Sequence, residues 1–424
     1  MSCFFICQML DNSRFFNKFV GFLTTKHMRQ FFKMMTAVIL SVFCLAGCQN
    51  NQKAKYIFLF IGDGMGATHV AVTESYLSYK EGKLGGEQLL MTQFPYYGTA
   101  TSHSANANIT DSAASGTAIA CGEKANNGTV GINKDSVNIE SVAYALKKDG
   151  YKIGIMSTVP INHATPSAFY AHNIKRSNYY EISCDIPGSG FDFFAGAGFL
   201  DYKGKNNDLV PIDSYLEENG YSVSYGLDEF RTESMGKDKA IFCQASNRDT
   251  SAGNYINDGS VAADATMAEM LELGLEFIGD KEPFFFMCEG GAIDWAAHAN
   301  RTMPLVENVL DFDAAIKVAY EFYKKHPKQT LIVVTADHET GGLSLGCGSK
   351  KVDWEKLENE WIESGKKSVM GNEENLQFNK ECSIGWTNRS HTGGAVPVFA
   401  VGVGAEKFNG RMDNTDIKGK ILGE

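Results

Sequence analysis

The chain has 424 residues, 44% of them hydrophobic, which is enough to bury a large core in one big domain or two modest ones. Its formal net charge of −11 argues against a nucleic-acid-binding surface. If the chain binds an anion, the positive charge must come from metal ions or from a few well-placed arginines.

Residues 1–47 are predicted to be an export signal. The short basic stretch 28–33 is followed by the apolar run 34–45 and by small residues before Cys48. This order is typical of a bacterial lipoprotein signal that is cleaved before Cys48, which then carries the lipid. The apolar run is too short for a membrane span, and an ordinary signal peptide or a buried helix are the alternatives. We expect an exported, periplasmic or cell-envelope lipoprotein that touches the membrane only through its lipid anchor.

After a polar tether at 48–55, apolar runs alternate with segments of helical periodicity, which lie at 138–148 and 261–278. Five apolar runs are continuous, namely 56–61, 152–156, 283–288, 331–335 and 396–401. Continuous apolar strands imply a sheet that is covered on both faces. The sequence therefore predicts an α/β fold of three layers, a central, mostly parallel sheet with helices on both faces.

We predict one domain over 56–424 with an insertion at about 343–388. The inserted segment is polar, charged and contains tryptophan, and we expect it at the edge of the sheet with one helix at 354–363. Six cysteines are scattered beyond Cys48, and the sequence does not give a disulfide pairing.

Three of the apolar runs lead directly into carboxylates. The residues that follow them are Asp63 after the first, Glu289 and then Asp294 after the third, and Asp337 with His338 after the fourth. In an open α/β sheet, ligands bind beyond the carboxyl ends of the strands. One acid there would be solvated, but converging acids repel one another unless cations lie between them. The pattern favours bound metal ions.

Histidines accompany these acids at ligand spacing. Asp294 and His298 are four residues apart in DWAAH, so they share one face of a helix, while Asp337 and His338 are adjacent. A single histidine is more often a core or surface residue, but here two of nine stand beside acids that follow apolar strands. We therefore expect these four residues to bind metal.

Ser112 lies in TDSAASGTA (110–118), a run of small residues that opens a predicted helix. The ordinary interpretation is that Asp111 or Ser112 caps the helix and that the small residues pack tightly. A helix N-terminus also offers free N–H groups and a favourable dipole to phosphate. The GDGMGA turn (62–67) has the spacing of a dinucleotide loop, but this signal is weak because its acid would face the pyrophosphate.

Six segments resemble those of the alkaline phosphatases and occur in the family's order. They are FIGDGMG (60–66), TDSAASGTAIACGEKANNGTVGI (110–132), HATPSAFYAHNIKR (163–176), EGGAIDWAAH (289–298), TADHETGG (335–342) and SHTGG (390–394). The resemblance runs from about 56 to 410. It implies hydrolysis of small phosphate monoesters through a phosphoserine on Ser112, and a homodimer.

The resemblance also implies two zinc ions and a third metal, usually magnesium. The first zinc would be held by Asp294, His298 and His391, the second by Asp63, Asp337 and His338, and the third ion by Asp63, Thr165 and Glu289. Arg176 would make two hydrogen bonds to phosphate oxygens, and Asp111 would orient it.

Some members of the family have aspartate in place of His163, lysine in place of Trp295 and histidine in place of Thr340, although His and Trp at the first two positions also occur. The first two changes remove a carboxylate near the third metal and a cation near the phosphate. Since imidazole suits zinc or cobalt better than magnesium, we expect His163, with Trp295 packed beside it, to tune the third site.

Related enzymes of the same superfamily are the main alternative, since phosphodiesterases, sulfatases and phosphoglycerate mutases share the two-metal core. A sulfatase would need a CxPxR-like segment, and a diesterase would be expected to lack the equivalents of Glu289 and Arg176. A non-catalytic lipoprotein that binds metal or phosphate would have lost Ser112, Asp63 or His391. Glu289 and Arg176 are present, and so are Ser112, Asp63 and His391, which favours the monoesterase.

Overall fold

The computed structural model describes residues 53–252, 265–348, 350–367 and 370–424. The predicted signal region, Cys48 and most of the tether lie outside the described residues. None of the helices within the described ranges is long and apolar enough to cross a membrane. The six cysteines beyond Cys48 are described, and all are free thiols.

The strands are β1 (Tyr56–Gly62), β2 (Tyr96–Thr101), β3 (Lys152–Ser157), β4 (Phe193–Gly196), β5 (Ser222–Tyr225), β6 (Ala240–Cys243), β7 (Phe284–Gly290), β8 (Thr330–Thr335), β9 (Glu339–Thr340), β10 (Leu343–Leu345), β11 (Ile384–Trp386), β12 (His391–Thr392), β13 (Val396–Gly402) and β14 (Gly410–Asp413). The helices are α1 (Ala67–Lys80), α2 (Ser112–Cys121), α3 (Val142–Lys148), α4 (Ala164–Tyr170), α5 (Tyr179–Cys184), α6 (Ile186–Ser189), α7 (Ile212–Glu218), α8 (Leu227–Glu229), α9 (Met267–Ile278), α10 (Ala292–His298), α11 (Thr302–Lys325), α12 (Trp354–Glu363), α13 (Asn372–Glu381) and α14 (Asp416–Leu422).

Within the described residues, ten strands form one sheet in the order β14-β2-β13-β8-β1-β7-β3-β4-β6-β5. β13 runs antiparallel to both of its neighbours, and the other pairs in the sheet are parallel. Helices α9 and α11 pack on one face, and α3 and α4 pack on the other. The predicted three-layer α/β fold with a mostly parallel sheet is therefore confirmed.

The central strands β1, β7 and β8 are buried along their whole length. The ring of Phe58 stacks on that of Phe286 with centroids 6.1 Å apart, and Phe322 of α11 meets Phe58 edge-on at 5.7 Å. A strand buried on both faces has no place for alternating polar residues, which explains its continuous apolar sequence. All five predicted strands are present, and each lies within two residues of its predicted bounds.

Both predicted helices are shorter at their N-termini than the periodicity indicates. α3 begins at Val142 because the hydroxyl of Ser141 accepts a hydrogen bond from the N–H of Tyr144 and caps it. α9 begins at Met267, where Thr266 and Glu269 form a capping box. Residues 261–264 lie outside the described ranges.

The segment 343–388 contains α12, as predicted, and also α13, which we did not predict. It does not extend the main sheet, since β10 and β11 pair only with each other. The segment packs on helices instead, where the hydroxyl of Tyr76 on α1 donates to Glu358 and the side chain of Asn375 donates to the carbonyl of Asn300. Its definition as an insertion remains a prediction.

The register of the central strands brings the acidic residues to one edge of the sheet. Ile61 on β1 pairs with Glu289 on β7 and with Thr335 on β8. Asp63 lies two residues after Ile61, and Asp337 lies two residues after Thr335. The three carboxylates therefore leave the sheet side by side at its carboxyl edge.

Candidate active site

The three carboxylates that end neighbouring strands, Asp63, Glu289 and Asp337, are fully buried. Both carboxylate oxygens of Asp63, Oε1 of Glu289 and Oδ2 of Asp337 have no hydrogen-bond partner among the described residues. Burial, with a contribution from Asp337, raises the pKa of Asp63 well above its usual range, and burial raises the pKa of Glu289 to about 8. Buried carboxylates without partners are unfavourable, and bound cations would relieve them.

Gly64 allows the turn after β1 to approach the next acidic residue closely. Its φ is +72°, and a Cβ there would lie 2.8 Å from Oδ1 of Asp294 and 2.8 Å from Oγ1 of Thr340. The N–H of Gly64 donates to Oδ1 of Asp337 at 3.1 Å. Glycine adopts this conformation without steric cost, so the GDG turn is suited to packing carboxylates together.

Asp294, His298 and His391 form a second cluster beside the first. Nε2 of His298, one helical turn after Asp294 on α10, is 3.3 Å from Oδ2 of Asp294. Nε2 of His391 is 3.7 Å from Oδ1 of the same carboxylate. The two Nε2 atoms are 3.1 Å apart.

The hydrogen bonds made by Nδ1 of each of these two rings determine whether Nε2 carries a hydrogen or a lone pair. Nδ1 of His298 is 2.7 Å from the carbonyl oxygen of Arg389, and Nδ1 of His391 is 2.8 Å from that of Thr110. A carbonyl only accepts, so each Nδ1 carries the hydrogen and the Nε2 atoms of the neutral rings face each other with lone pairs. A cation bound with Asp294 would remove this repulsion. The cluster therefore fits a metal ion that prefers nitrogen and oxygen ligands, such as zinc.

His338 lies between the two clusters. Its ring stacks on His391 with centroids 3.5 Å apart, and its Nε2 is 3.1 Å from Oδ2 of Asp337 and 3.4 Å from Oδ1 of Asp63. Burial alone would lower the pKa of His338, but the charge of Asp337 raises it overall. The surroundings thus favour positive charge at this imidazole, which a bound metal ion would supply.

Asp63 also belongs to a third group, with Glu289 and His163, in which one ligand atom of each lies within 4.8 Å of the others. Nδ1 of His163 is buried without a hydrogen-bond partner in the described part of the chain, and so is Oγ1 of Thr165, two residues further on. The hydroxyl of Ser157 donates to Oε2 of Glu289 and holds that side chain in place.

His163 is packed against Trp295 and beside Arg176. Its ring meets the indole edge-on at 5.8 Å, and its Nε2 is 3.4 Å from Nη2 of Arg176. Burial and the charge of Arg176 lower the pKa of His163 to about 3. The imidazole is therefore neutral and able to bind a metal or accept a hydrogen bond.

Ser112 is the first residue of α2, and its Oγ lies 3.2 Å from Nε2 of His338. Asp111 caps the helix, since its Oδ1 accepts from the N–H of Ala114 at 2.9 Å. The buried hydroxyl thus stands at a helix N-terminus, where the dipole and free N–H groups favour an anion such as phosphate.

Arg176 is fixed by a closed set of hydrogen bonds. Its Nη1 donates to Oδ2 of Asp111 at 3.0 Å, and the same oxygen accepts from the N–H of Gly128 at 3.0 Å. The N–H of Arg176 donates in turn to the carbonyl of Gly128 at 2.7 Å. The guanidinium is thereby held near Ser112 in a fixed orientation.

Thr340 contacts two candidate metal ligands, Asp294 and His338. Its Oγ1 donates to Oδ1 of Asp294 at 2.6 Å and lies 3.2 Å from Nδ1 of His338. Because the only hydroxyl hydrogen goes to the carboxylate, the hydroxyl oxygen must accept from His338. Nε2 of His338 consequently faces Ser112 with its lone pair when the ring is neutral.

Comparison with known proteins agrees with this geometry. The alkaline phosphatase family model matches residues 54–197 and 250–422. The chain is 32% identical over 427 residues to alkaline phosphatase 4 of Bacillus subtilis (strain 168), covering 87% of this chain and 88% of that protein. The chain belongs to the alkaline phosphatase family.

Solved structures of alkaline phosphatases share the fold. The enzyme from the Antarctic bacterium TAB5 matches with a TM-score of 0.70 and 31% identity, covering 88% of this chain and 97% of that one. A variant of it in which a histidine is replaced by aspartate has Mg bound in its M3 site, and it matches at 30% identity with a TM-score of 0.70 and the same coverage. As an alkaline phosphatase, the present chain is a phosphoric monoester hydrolase, and its substrates are small phosphate monoesters.

The structure brings the residues singled out in the sequence to one region of this alkaline phosphatase. These are Asp63, Asp111, Ser112, His163, Thr165, Arg176, Glu289, Asp294, Trp295, His298, Asp337, His338 and His391. Ser157 and the double contact of Thr340 were not predicted. Ser157 ends β3 in register with Glu289, so only knowledge of the strand order would have indicated it.

Proposed function

We propose that this alkaline phosphatase hydrolyses its substrates through a phosphoserine on Ser112, at a site that holds two zinc ions and a third metal. The position of Oγ of Ser112 carries this proposal, since it lies at a helix N-terminus, 3.2 Å from Nε2 of His338, close to the fixed guanidinium of Arg176. A serine next to a metal-ligand cluster and a phosphate-binding arginine is suited to phosphoryl transfer.

The residues fit three metal ions in the following arrangement. The first zinc would be held by Asp294, His298 and His391, the second by Asp63, Asp337 and His338, and magnesium by Asp63, Thr165 and Glu289, with His163 close enough to favour zinc or cobalt instead. Bound there, the metals would favour the deprotonated serine and activate water for the second step.

The protein residues orient both steps. In the first, the hydroxyl of Ser112 loses its proton to solvent, Oγ forms a bond to phosphorus while the bond to the ester oxygen breaks, and the alcohol leaves with a proton from solvent. In the second, water adds to phosphorus and the bond to Oγ breaks. Oγ takes up a proton as the water loses one, and inorganic phosphate leaves. Arg176 binds two phosphate oxygens through both steps, and Asp111 fixes its plane.

One assay separates this proposal from its alternatives. The purified protein is tested with p-nitrophenyl phosphate, the bis(p-nitrophenyl) ester and p-nitrophenyl sulfate, with and without added zinc. We expect zinc-dependent turnover of the monoester far above the other two. Faster turnover of the diester or sulfate would indicate another activity of the superfamily, and no turnover of any substrate would indicate a binding protein.

The cellular setting is part of the same proposal. The sequence before Cys48 supports export and lipid attachment, which would make the enzyme a periplasmic or cell-envelope lipoprotein. A homodimer is expected from the family alone.

A further inference from the structure

The turn between β14 and α14 reaches the active site from the C-terminal end of the chain. Asn414 in this turn is fully buried, and its Nδ2 donates to Oγ of Ser115 at 2.9 Å. Oγ of Ser115 donates in turn to the main-chain oxygen of Asp337 at 2.6 Å. A hydroxyl has one hydrogen, and that of Ser115 is used in the bond to the main-chain oxygen of Asp337. Asn414 therefore supplies the donor that fixes this direction.

Asn414 is itself held in place from two other sides. Its Oδ1 accepts from Nζ of Lys124 at 2.7 Å, and its N–H donates to the carbonyl of Thr101 at 3.0 Å. Nζ of Lys124 also pairs with Asp413 at 2.9 Å. The side-chain amide therefore cannot rotate to present its oxygen to Ser115 without losing the bond from Lys124.

Ser115 connects α2, which begins with Ser112, to the loop after β8, which carries Asp337. It lies in the first turn of α2, and its N–H donates to the carbonyl of Asp111, beside Ser112. Asp337 lies in the loop after β8, next to His338, which Oγ of Ser112 contacts. The bond from Ser115 to the main chain of Asp337 therefore helps to set the separation between α2 and this loop.

We propose that Ser115 and Asn414 are positioning residues that hold α2, which begins with Ser112, against the loop after β8 that carries Asp337. This inference rests on the proposed function for the roles of Ser112 and Asp337. Neither residue touches the substrate. Each acts by fixing the main chain of Asp337, whose side chain faces the metal cluster.

The decisive variants are Ser115→Ala, which removes the hydroxyl, and Asn414→Asp, which keeps the size but replaces the donor with a carboxylate oxygen. Loss of residues that orient metal ligands costs roughly 10- to 100-fold in metal affinity or activity. For the zinc-loaded enzyme we expect kcat to fall and zinc release to a coloured chelator to accelerate by about tenfold each, with KM little changed.

Lys418→Met is the matched control. Nζ of Lys418 on α14 donates to the carbonyl of Cys121, the last residue of α2, and to the carbonyl of Glu140, which precedes α3. It tests whether loosening the C-terminal segment is enough by itself, and we expect its zinc release and kcat to match the wild type. The double variant Ser115→Ala/Asn414→Asp should be no worse than Ser115→Ala, because Asn414 acts through Ser115.

Equal zinc release from Lys418→Met and Asn414→Asp, or independent effects in the double variant, would overturn the inference. If Asn414→Asp does not fold, Ser115→Ala decides, and wild-type values of kcat and zinc release for that variant would refute the proposal. The unfolding temperature of each loaded variant separates loss of fold from loss of positioning. Failure of the proposed function would show differently, as monoester turnover that survives Ser112→Ala.

Discussion

The hydroxyl of Ser112 meets the imidazole of His338 directly, with 3.2 Å between Oγ and Nε2. Thr340 orients this contact from the other side of the ring, because its oxygen accepts from the N–H at Nδ1 and the neutral ring then turns its Nε2 lone pair toward the serine. The candidate nucleophile therefore contacts a candidate metal ligand through its hydroxyl oxygen. A substitution that removes this oxygen tests the serine and leaves the side chains of the candidate ligands unchanged.

Ser112→Ala should abolish monoester turnover while zinc stays bound. The variant removes one oxygen, whereas the carboxylates and imidazoles around it remain. Zinc content measured by atomic absorption should match the wild type, while p-nitrophenyl phosphate hydrolysis falls by several orders of magnitude. Acid quenching of the wild type with labelled phosphate should mark Ser112, and label on another residue would remove Ser112 from this role.

Arg176→Ala should weaken phosphate binding more than metal binding. A bidentate charge-assisted contact is worth about 2 to 3 kcal/mol, which predicts a rise of roughly 30- to 150-fold in the phosphate inhibition constant. Lys175→Ala is the control, because it removes an exposed charge from the adjacent residue. An inhibition constant that changes equally in both variants would indicate a general charge effect rather than a contact by Arg176.

His163→Asp should raise the dependence on magnesium and lower activation by cobalt or zinc. His163 belongs to the group with Asp63 and Glu289, and its Nδ1 has no hydrogen-bond partner among the described residues. A carboxylate at this position would supply an oxygen ligand instead of a nitrogen. Metal titrations of the wild type, His163→Asp and the uncharged His163→Asn test this. Superimposable magnesium and cobalt curves for all three would mean that His163 is only a packing residue.

Asp311→Asn should stabilise the protein at neutral pH. Burial raises the pKa of Asp311 to about 6, so the folded protein binds this proton more tightly than the unfolded chain. Stability is therefore lost as pH rises from about 4 through 6, by up to about 3 kcal/mol, and asparagine avoids the loss while still accepting from the N–H of Met267. The unfolding midpoint of Asp311→Asn should exceed that of the wild type at pH 8 and converge with it near pH 4. Glu321→Gln, at an exposed position of the same helix, is the control.

Cys48→Ser should convert the exported protein from membrane-associated to soluble, because the proposed anchor is one lipidated cysteine. Fractionation of cells into membrane and soluble material measures this directly. A variant that still sediments with membranes would contradict the lipoprotein interpretation.

The strands and most of the site could be predicted because their signals are local. An apolar run followed by an acid shows a central strand and what lies at its end, as with Asp63 and Asp337. The contacts of Ser115 with Asn414 could not be predicted, since 298 intervening residues separate them and only the sheet order β14-β2-β13-β8 brings them together. The predicted start of α3 was too early, because the helical periodicity extends into the irregular segment before the helix. That segment ends at Ser141, whose hydroxyl caps the helix.

The direction of β1 has a consequence for how the enzyme would meet its surroundings. The described chain enters the sheet before Tyr56, while Asp63 follows at the opposite end of the strand, about 20 Å away at 3.3 Å per residue. A purified protein that begins at residue 53 could therefore be immobilised through its N-terminus, because that end joins the sheet at the edge opposite to the one where Asp63, Glu289 and Asp337 lie. Bound to a surface in this way, the enzyme would keep its active site accessible to substrates.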